Sequence, residues 1–189
     1  MKRNILLGLG ILLAIFIGYA TFVLTSTKRH SPKDIAKYNL GDLSLSIEYC
    51  RPYKKGRLLF GPKSSDALEK YGEPWRTGAN EATEIQINLP LSFPEGELPA
   101  GSYSLYSIPG ENDWTIVFNS KLDYWGADIT GSPFDPDLDV LRVTVPRQQT
   151  DSLVEQFTID FEQIDNQVHM LLLWGNTKLE VPLTPKVQT

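Results

Sequence analysis

Apolar and polar residues alternate with a period of two through much of the chain, which predicts half-buried β-strands. Glycine, proline, asparagine or aspartate separates one run from the next. The runs cover residues 42–49, 83–89, 102–108, 114–118, 141–145, 157–161, 168–174 and 179–183. About nine short strands without crossover helices predict an all-β fold with antiparallel sheets, packed as a two-sheet, jelly-roll-like sandwich over residues 42–183.

One face of each run is apolar and supplies the predicted core. The side chains expected to point inward are Ile85, Ile87, Ile116, Phe118, Leu141, Val143, Phe157, Ile159 and Phe161. Residues 31–41 are polar and are predicted to form a tether, and residues 184–189 a C-terminal tail. Residues 64–71 are compatible with one short helix capped by Ser64 or Ser65.

The N-terminal 30 residues form a separate unit, with 20 uncharged residues from Ile5 to Leu24 between Lys2-Arg3 and Lys28-Arg29. About 20 apolar residues suffice to span a bilayer as a helix, so residues 5–24 are predicted to be a membrane anchor. The alternative is a cleaved signal peptide ending at the small-x-small sequence Gly18-Tyr19-Ala20. Apolar residues continue beyond that site, which favours an uncleaved single-pass anchor with the domain outside the cytoplasm, on the periplasmic side.

Composition restricts the partners of the domain. The chain is 41% hydrophobic and 22% charged, which suits a globular core. Residues 31–189 carry 14 basic against 23 acidic residues, a net charge of −9. Such a domain repels phosphate backbones, so nucleic acid is not an expected partner. Cys50 is the only cysteine, so no intrachain disulfide forms.

The segment from Tyr71 to Ala82 has neither helix nor strand periodicity, yet it is dense in side chains suited to recognition. Trp75, Arg76, Asn80 and Glu81 lie within seven residues, among glycines and a proline that bend the chain. We predict that this loop presents its polar groups at one place and forms the centre of a ligand-binding site.

Three more residues complete the candidate ligand-binding set, namely Arg51, Trp125 and Arg142. The arginines are expected to converge with Glu81 or Asp139. Arginine forks and a tryptophan platform suit an anionic or sugar-like ligand. The structural alternative is a buried ion-pair network that fixes the loop on the sheet.

Catalytic and metal-binding patterns are weak, so no catalytic residue, no metal site and no cofactor is predicted. The only histidines are His30, beside the apolar segment, and His169, within a strand run. Residues 135–139 alternate aspartates like the start of a calcium loop. However, the sixth and twelfth positions of that loop hold Val140 and Pro146 in place of glycine and an acid.

Several motifs together resemble a bacterial family called domain of unknown function 2911. They are Arg51-Pro-x-x-Lys-Gly-Arg57, Phe60-Gly61, Tyr71-Gly-x-x-Trp-Arg-Thr-Gly-Ala-Asn-Glu-Ala-Thr83, Ala100-Gly-x-Tyr-Ser-Leu105, Ile108-Pro-Gly110, Trp114-Thr-Ile116, Trp125-Gly126, Asp139-Val-Leu-Arg-Val143 and Trp174-Gly175. The resemblance covers about residues 42–183. It implies an exported or envelope β domain and supplies no reaction.

The sequence thus favours a membrane-anchored β-sandwich domain of the cell envelope that binds a small-molecule, glycan or protein partner without catalysis. One alternative is an envelope hydrolase with Glu81 and an aspartate as paired carboxylates. Another is a structural assembly factor without a ligand. The geometry around Arg76, Asn80 and Glu81 distinguishes these three hypotheses.

Overall fold

The structure, a computed structural model, describes residues 2–125, 133–165 and 167–186. Parts of three predicted features lie outside these residues. They are positions 126–132 of the irregular segment between two strand runs, Asn166 of a predicted turn, and positions 187–189 of the predicted tail.

The described residues form one long helix and twelve strands, with a short 3-10 helix at Pro136–Leu138. The elements in chain order are α1 (Lys2–His30), β1 (Lys33–Leu40), β2 (Leu43–Cys50), β3 (Phe60–Gly61), β4 (Glu69–Lys70), β5 (Thr83–Ile87), β6 (Leu91–Phe93), β7 (Gly96–Leu98), β8 (Gly101–Ile108), β9 (Asp113–Asn119), β10 (Asp139–Pro146), β11 (Gln148–Ile164) and β12 (Gln167–Pro185).

Two antiparallel sheets build the domain. The larger has the strand order β1-β2-β5-β8-β9-β10, and the smaller has the order β11-β12-β6-β7. The pair β3-β4 is parallel and two residues long. Short turns join β1 to β2, β6 to β7 and β8 to β9, and these neighbours are antiparallel because parallel neighbours would require crossover connections.

The core lies between the two large sheets and confirms the predicted sandwich. Of the nine side chains predicted to point inward, eight are buried, and Phe161 is partly buried against the core. Their strands show the expected alternation, for example in β5, where residues 83, 85 and 87 are buried. Each buried aliphatic or aromatic side chain contributes roughly 1.5–3 kcal/mol through removal from water.

Apolar side chains along the middle of helix α1 are exposed. Leu12, Phe16, Tyr19 and Phe22 are each between 65% and 68% exposed. Within it, Gly8–His30 is long and apolar enough to cross a membrane, and a signal sequence would satisfy the same criterion. At 1.5 Å per residue these 23 residues extend about 34 Å.

Three local predictions were wrong. Residues 33–40 of the predicted tether form strand β1, which pairs with β2 along its whole length. The predicted helix at 64–71 is absent, since Glu69 and Lys70 form β4 and the Ser65 hydroxyl donates to Pro62 O at 2.7 Å. The tail begins later than predicted, because β12 continues to Pro185.

Candidate functional site

The Tyr71–Ala82 loop is held against the large sheet by its own backbone. Trp75 N donates to Ser107 O at 2.7 Å, and Ser107 N donates to Trp75 O at 2.8 Å. Thr77 and Asn80 have positive φ angles of 52° and 60°, which non-glycine residues seldom adopt. These conformations turn successive side chains of the loop in different directions.

Trp75 points into the core. It is 4% exposed and stacks on Trp174, with ring centroids 5.6 Å apart. Phe60, Trp114 and Phe157 surround the pair edge-on, an arrangement that aromatic rings favour. Trp75 therefore supports the loop from beneath and does not form a platform at the surface.

Asn80 and Glu81 tie the loop to the end of helix α1. Asn80 is buried, and its Nδ2 donates to Ser31 O at 3.2 Å. Lys28 Nζ lies 3.4 Å from Glu81 Oε1, and Cys50 Sγ donates to Glu81 Oε2 at 3.3 Å. These contacts place the first strand of the domain directly beside the loop.

The Cys50 thiol is protonated at neutral pH. Burial raises its pKa to about 11, and the hydrogen bond to the Glu81 carboxylate acts in the same direction. Burial also acts to raise the pKa of Glu81, but hydrogen bonds from its own backbone N–H, from Cys50 and from Lys28 lower it below its ordinary value. Because the thiolate is the nucleophilic form, this pair does not activate Cys50.

Arg51 connects the two sheets. Its guanidinium donates to Asp34 Oδ2 at 2.9 Å, to Phe157 O at 3.0 Å and to Thr158 Oγ1 at 2.8 Å. These bonds join β1 to β11. Arg51 is thus occupied by partners within the protein.

Arg142 belongs to a different network, centred on Asp139. Its Nη2 and Nε lie 2.6 Å and 2.9 Å from Asp139 Oδ2. The Tyr106 hydroxyl and Asn119 Nδ2 donate to the same carboxylate, whose side chain is 8% exposed. Burial raises the pKa of Tyr106, and its bond to Asp139 raises it further.

The three arginines were expected to converge with Glu81 or Asp139, and only Arg142 does so, through Asp139. Arg51 pairs with Asp34 and Arg142 with Asp139, while Arg76 pairs with neither. Two aspartates of segment 135–139 bind within the protein, since Asp135 accepts from the backbone of Asp137 and Asp139 accepts from Arg142. Among residues 2–125, 133–165 and 167–186, no group of three or more His, Cys, Asp or Glu residues could hold a metal ion.

Arg76 lines a recess of about 370 Å³, which we call the arginine recess. The charged residues of its wall are Arg76, Glu69, Arg57 and Lys55. Its less polar wall is formed by Pro52, Tyr53, Leu68, Ala79 and Trp174, and His30 and Ser31 complete it. The Arg76 guanidinium forms no hydrogen bond and no ion pair with any residue that the structure describes.

Glu69 is the acidic residue of this recess. Burial raises the pKa of its carboxyl to about 7, against the opposing influence of Arg76 and Arg57. Burial lowers the pKa of Arg76, and Glu69 acts in the opposite direction. A guanidinium nevertheless stays protonated at every physiological pH, so of these two groups Glu69 is the one that changes its charge.

A second recess of about 350 Å³ adjoins the first and shares Arg57 and Trp174 with it. Lys54 and Arg147 add positive charge to its wall. The indole N–H of Trp174 is buried and has no acceptor among the described residues. The two recesses together therefore bring five cationic side chains to one side of an acidic domain, with Glu69 as the acid among them.

Trp125 and Glu81 line a third recess, of about 310 Å³. Trp125 is 38% exposed and forms an isolated β-bridge with Glu81. Glu84 and Asp123 also line this recess, so its character is acidic. The seven predicted ligand-binding residues thus lie in separate environments, and Arg76 alone of them lines the arginine recess.

Residues 31–183 match the family described as Protein of unknown function (DUF2911). The chain belongs to this family. No curated protein and no solved structure matches the chain. The match confirms the resemblance found in the sequence and extends it over the segment that holds β1.

Sequence reasoning missed several charged residues of the DUF2911 domain that line its cationic recesses, notably Glu69 and Lys54. The basic turn Lys54-Lys55-Gly56-Arg57 can be recognised in the sequence, but no sequence pattern indicates that it lies near Arg76 in the fold. Pairing of β3 with β4 sets Glu69 opposite Phe60, and Glu155 binds the turn from β11. These contacts join residues distant in sequence, so a period-two pattern does not reveal them.

Proposed function

We propose that this DUF2911 protein is a membrane-anchored β-sandwich module, outside the cytoplasm, that binds a ligand carrying an anionic group. The observation that carries the proposal is the Arg76 guanidinium, which is partly buried in a recess and forms no hydrogen bond or ion pair with the described residues. The recess is of a size suited to a small ligand or to one group of a larger ligand.

The energetics of Arg76 support an external partner. Burial lowers the pKa of its guanidinium, which means that water solvates the charge less well than in an open position. A carboxylate or phosphate would accept two parallel N–H bonds from the planar fork. A bound anion would thus replace the hydration that the Arg76 guanidinium loses on burial, and no hydrogen bond between Arg76 and a described residue would have to break first.

The location of carboxyl groups supports binding over hydrolysis. A glycoside hydrolase of the usual type needs an acid and a second carboxyl within one cleft. Glu81 and Asp123 line one recess, but the pKa of Glu81 lies below its ordinary value, which does not suit a general acid. Glu69, whose pKa is raised, lies in the arginine recess, and no second carboxyl is among the described residues that line it. An assembly factor without a ligand would suit a flat surface around the loop, and the loop instead borders a recess.

The test measures sulfate and acetate binding to the full-length protein in neutral detergent micelles, by NMR or calorimetry. We expect Arg76→Gln to abolish binding and Arg76→Lys to weaken it about tenfold or more through loss of the fork. Melting temperatures should stay close to that of the parent protein, because the Arg76 side chain makes no hydrogen bond or ion pair with the residues that the structure describes.

Lys37→Gln is the matched control for charge, because Lys37 is exposed on β1 and outside the recess. It should bind both anions like the parent protein. Unchanged anion binding by Arg76→Gln would refute the proposal. A large fall in melting temperature without loss of binding would assign Arg76 a structural role instead.

A further inference from the structure

The two adjoining recesses form one cationic groove, defined by Lys54, Lys55, Arg57, Arg76 and Arg147. The Lys54 and Lys55 ammonium groups form no hydrogen bond or ion pair with the described residues. This concentration of positive charge contrasts with the net charge of −9 on residues 31–189. The groove is thus a local site for an anion on a domain that otherwise repels anions.

The basic turn is fixed before any ligand arrives. Lys54 N donates to Glu155 O at 2.7 Å, Lys55 N donates to Glu155 Oε1 at 2.8 Å, and Arg57 N donates to Lys54 O at 3.1 Å. Lys55 and Gly56 adopt positive φ angles of 50° and 70°, which close the turn. Because the backbone is already ordered, binding costs little conformational entropy beyond that of the lysine side chains.

The groove lies beside the end of helix α1. His30, the last residue of the helix, and Ser31 both line the arginine recess. The candidate membrane span Gly8–His30, which ends in Lys28, Arg29 and His30, extends about 34 Å, a little more than the ~30 Å hydrocarbon core of a bilayer. In a membrane, His30 would therefore lie in the head-group layer, and the wall of the groove would begin at the same depth.

We infer that the ligand is the phosphodiester head group of an anionic membrane lipid; this inference rests on the proposed function and on retention of helix α1 in the membrane. The lipid phosphate accepts hydrogen bonds from Arg76. The Arg57 guanidinium already donates to Lys54 O and Tyr53 O, so it adds positive charge beside the phosphate, as do the two lysines at the turn. The less polar wall, with Leu68 and Trp174, accommodates the glycerol and first acyl carbons.

The position of the groove favours a lipid over a soluble anion. A lipid is present at the depth of His30 at high local concentration and is confined to that layer, so even a weak site is occupied. Juxtamembrane basic residues gain about 1 kcal/mol each from an anionic surface. Free phosphate esters share the recognised chemistry and therefore form the second arm of the test.

The test uses the full-length protein in nanodiscs of neutral phosphatidylcholine, with or without phosphatidylglycerol. Readouts are the melting temperature and hydrogen exchange of residues 54–57 and 71–82. We expect the anionic lipid to raise the melting temperature by about 2–4 °C and to slow exchange in both segments. In neutral nanodiscs, glycerol 3-phosphate should act similarly at high concentration.

Groove variants and matched controls separate specific binding from general attraction. Arg76→Gln and the double variant Lys54→Gln/Lys55→Gln should lose the lipid effect while remaining folded, because these side chains make no hydrogen bond or ion pair within residues 2–125, 133–165 and 167–186. Lys63→Gln/Lys186→Gln removes the same charge from exposed pairs with Glu73 and Glu97, outside the groove, and should keep it.

The remaining outcomes distinguish failure of the lipid inference from failure of the proposed function. Stabilisation by glycerol 3-phosphate with no dependence on lipid composition would overturn the lipid inference and leave the proposed function standing. Loss of the lipid effect in the control variant as well would assign it to general electrostatics and overturn the inference. No response to either ligand would overturn both proposals.

Discussion

Arg76 and Glu69 line the same recess, yet no guanidinium nitrogen of Arg76 lies within 4 Å of a Glu69 carboxyl oxygen. The two groups influence each other's pKa without forming an ion pair. Because the two groups are separated, the Arg76 guanidinium can donate to an external anion, and the Glu69 carboxyl changes its charge near neutral pH.

Anion binding should weaken as the pH rises from about 6 to about 8. Burial raises the pKa of Glu69 to about 7, so its carboxylate forms in this range and opposes an anion beside Arg76. Sulfate is a suitable probe because its own charge stays constant. We expect a several-fold loss of affinity by calorimetry, and a flatter profile in Glu69→Gln, in which His30 still lines the recess. An equally steep profile in that variant would assign the effect to another group.

Glu69 should also make stability depend on pH. Its folded pKa of about 7 lies above the unfolded value of about 4.3, so the folded state holds an extra proton between these values. The contribution of Glu69 to the free energy of unfolding is therefore fully present below about pH 4 and is lost as the pH rises to about 7.

The measurement compares melting temperatures from about pH 4.5 to pH 8 for the parent protein, Glu69→Gln and Glu97→Gln. Glu69→Gln should flatten the decline, because glutamine stays uncharged throughout. Glu97 is an exposed carboxylate paired with Lys186, and its variant should retain the slope of the parent. Identical slopes in all three proteins would show that Glu69 does not titrate in this window.

Glycine at position 78 should be required for the fold of the loop. Gly78 has a φ of 153°, and a Cβ there would lie 3.0 Å from Cys50 O and 3.1 Å from Thr83 Oγ1. We expect Gly78→Ala to lower the free energy of unfolding by about 1–3 kcal/mol in denaturant titrations. Gly72→Ala is the control, since its φ of 79° is unfavourable but its Cβ would meet no atom within 4 Å. An equal loss of unfolding free energy in both variants would show that close contacts of the added Cβ at position 78 do not contribute.

The core prediction distinguishes two phenylalanines. Phe118 is fully buried between the sheets, so Phe118→Ala should cost about 3–5 kcal/mol of the free energy of unfolding. Phe161 is only partly buried, at the margin of the core beside Tyr38, and its truncation should cost less. Urea titrations of both variants supply the comparison. A larger loss for Phe161→Ala would contradict the assigned packing.

Helix α1 should be retained in the mature protein. Its apolar stretch continues past the small residues at 18–20, and Lys28 contacts Glu81 of the domain. Mass spectrometry of the mature protein should recover peptides from residues 5–24, and the protein should stay with the membrane after osmotic shock. A mature N-terminus at Thr21 together with release by shock would contradict this prediction.

The strands most visible in the sequence were those with strict alternation on one buried face. Strand β5 shows it in Ile85 and Ile87, and both proved fully or almost fully buried. Strand β1 was missed because its inward side is only partly buried and includes Asp34 between weakly apolar positions such as Ala36. Hydrophobic pattern therefore identified central strands better than an edge strand.

The site was predictable only in part. The loop around Arg76 was recognisable from its composition, but the inward direction of Trp75 was not. Trp75 forms a β-bridge with Ser107, and in such an extended segment the side chains of neighbouring residues point to opposite sides. The role of Glu69 was missed because residues 64–71 were compatible with a short helix. Ser65 instead fixes a turn there, and the Ala67 N–H donates to its hydroxyl at 3.3 Å.

The short connection between α1 and β1 limits how far the domain can travel. Two residues separate His30 from Lys33, and Asn80 and Glu81 hold this junction from the side of the loop. With the helix in a bilayer, the domain would stay at the lipid surface with little freedom to swing. A larger partner would then have to approach the membrane itself, because the two-residue connection is too short to act as a flexible linker.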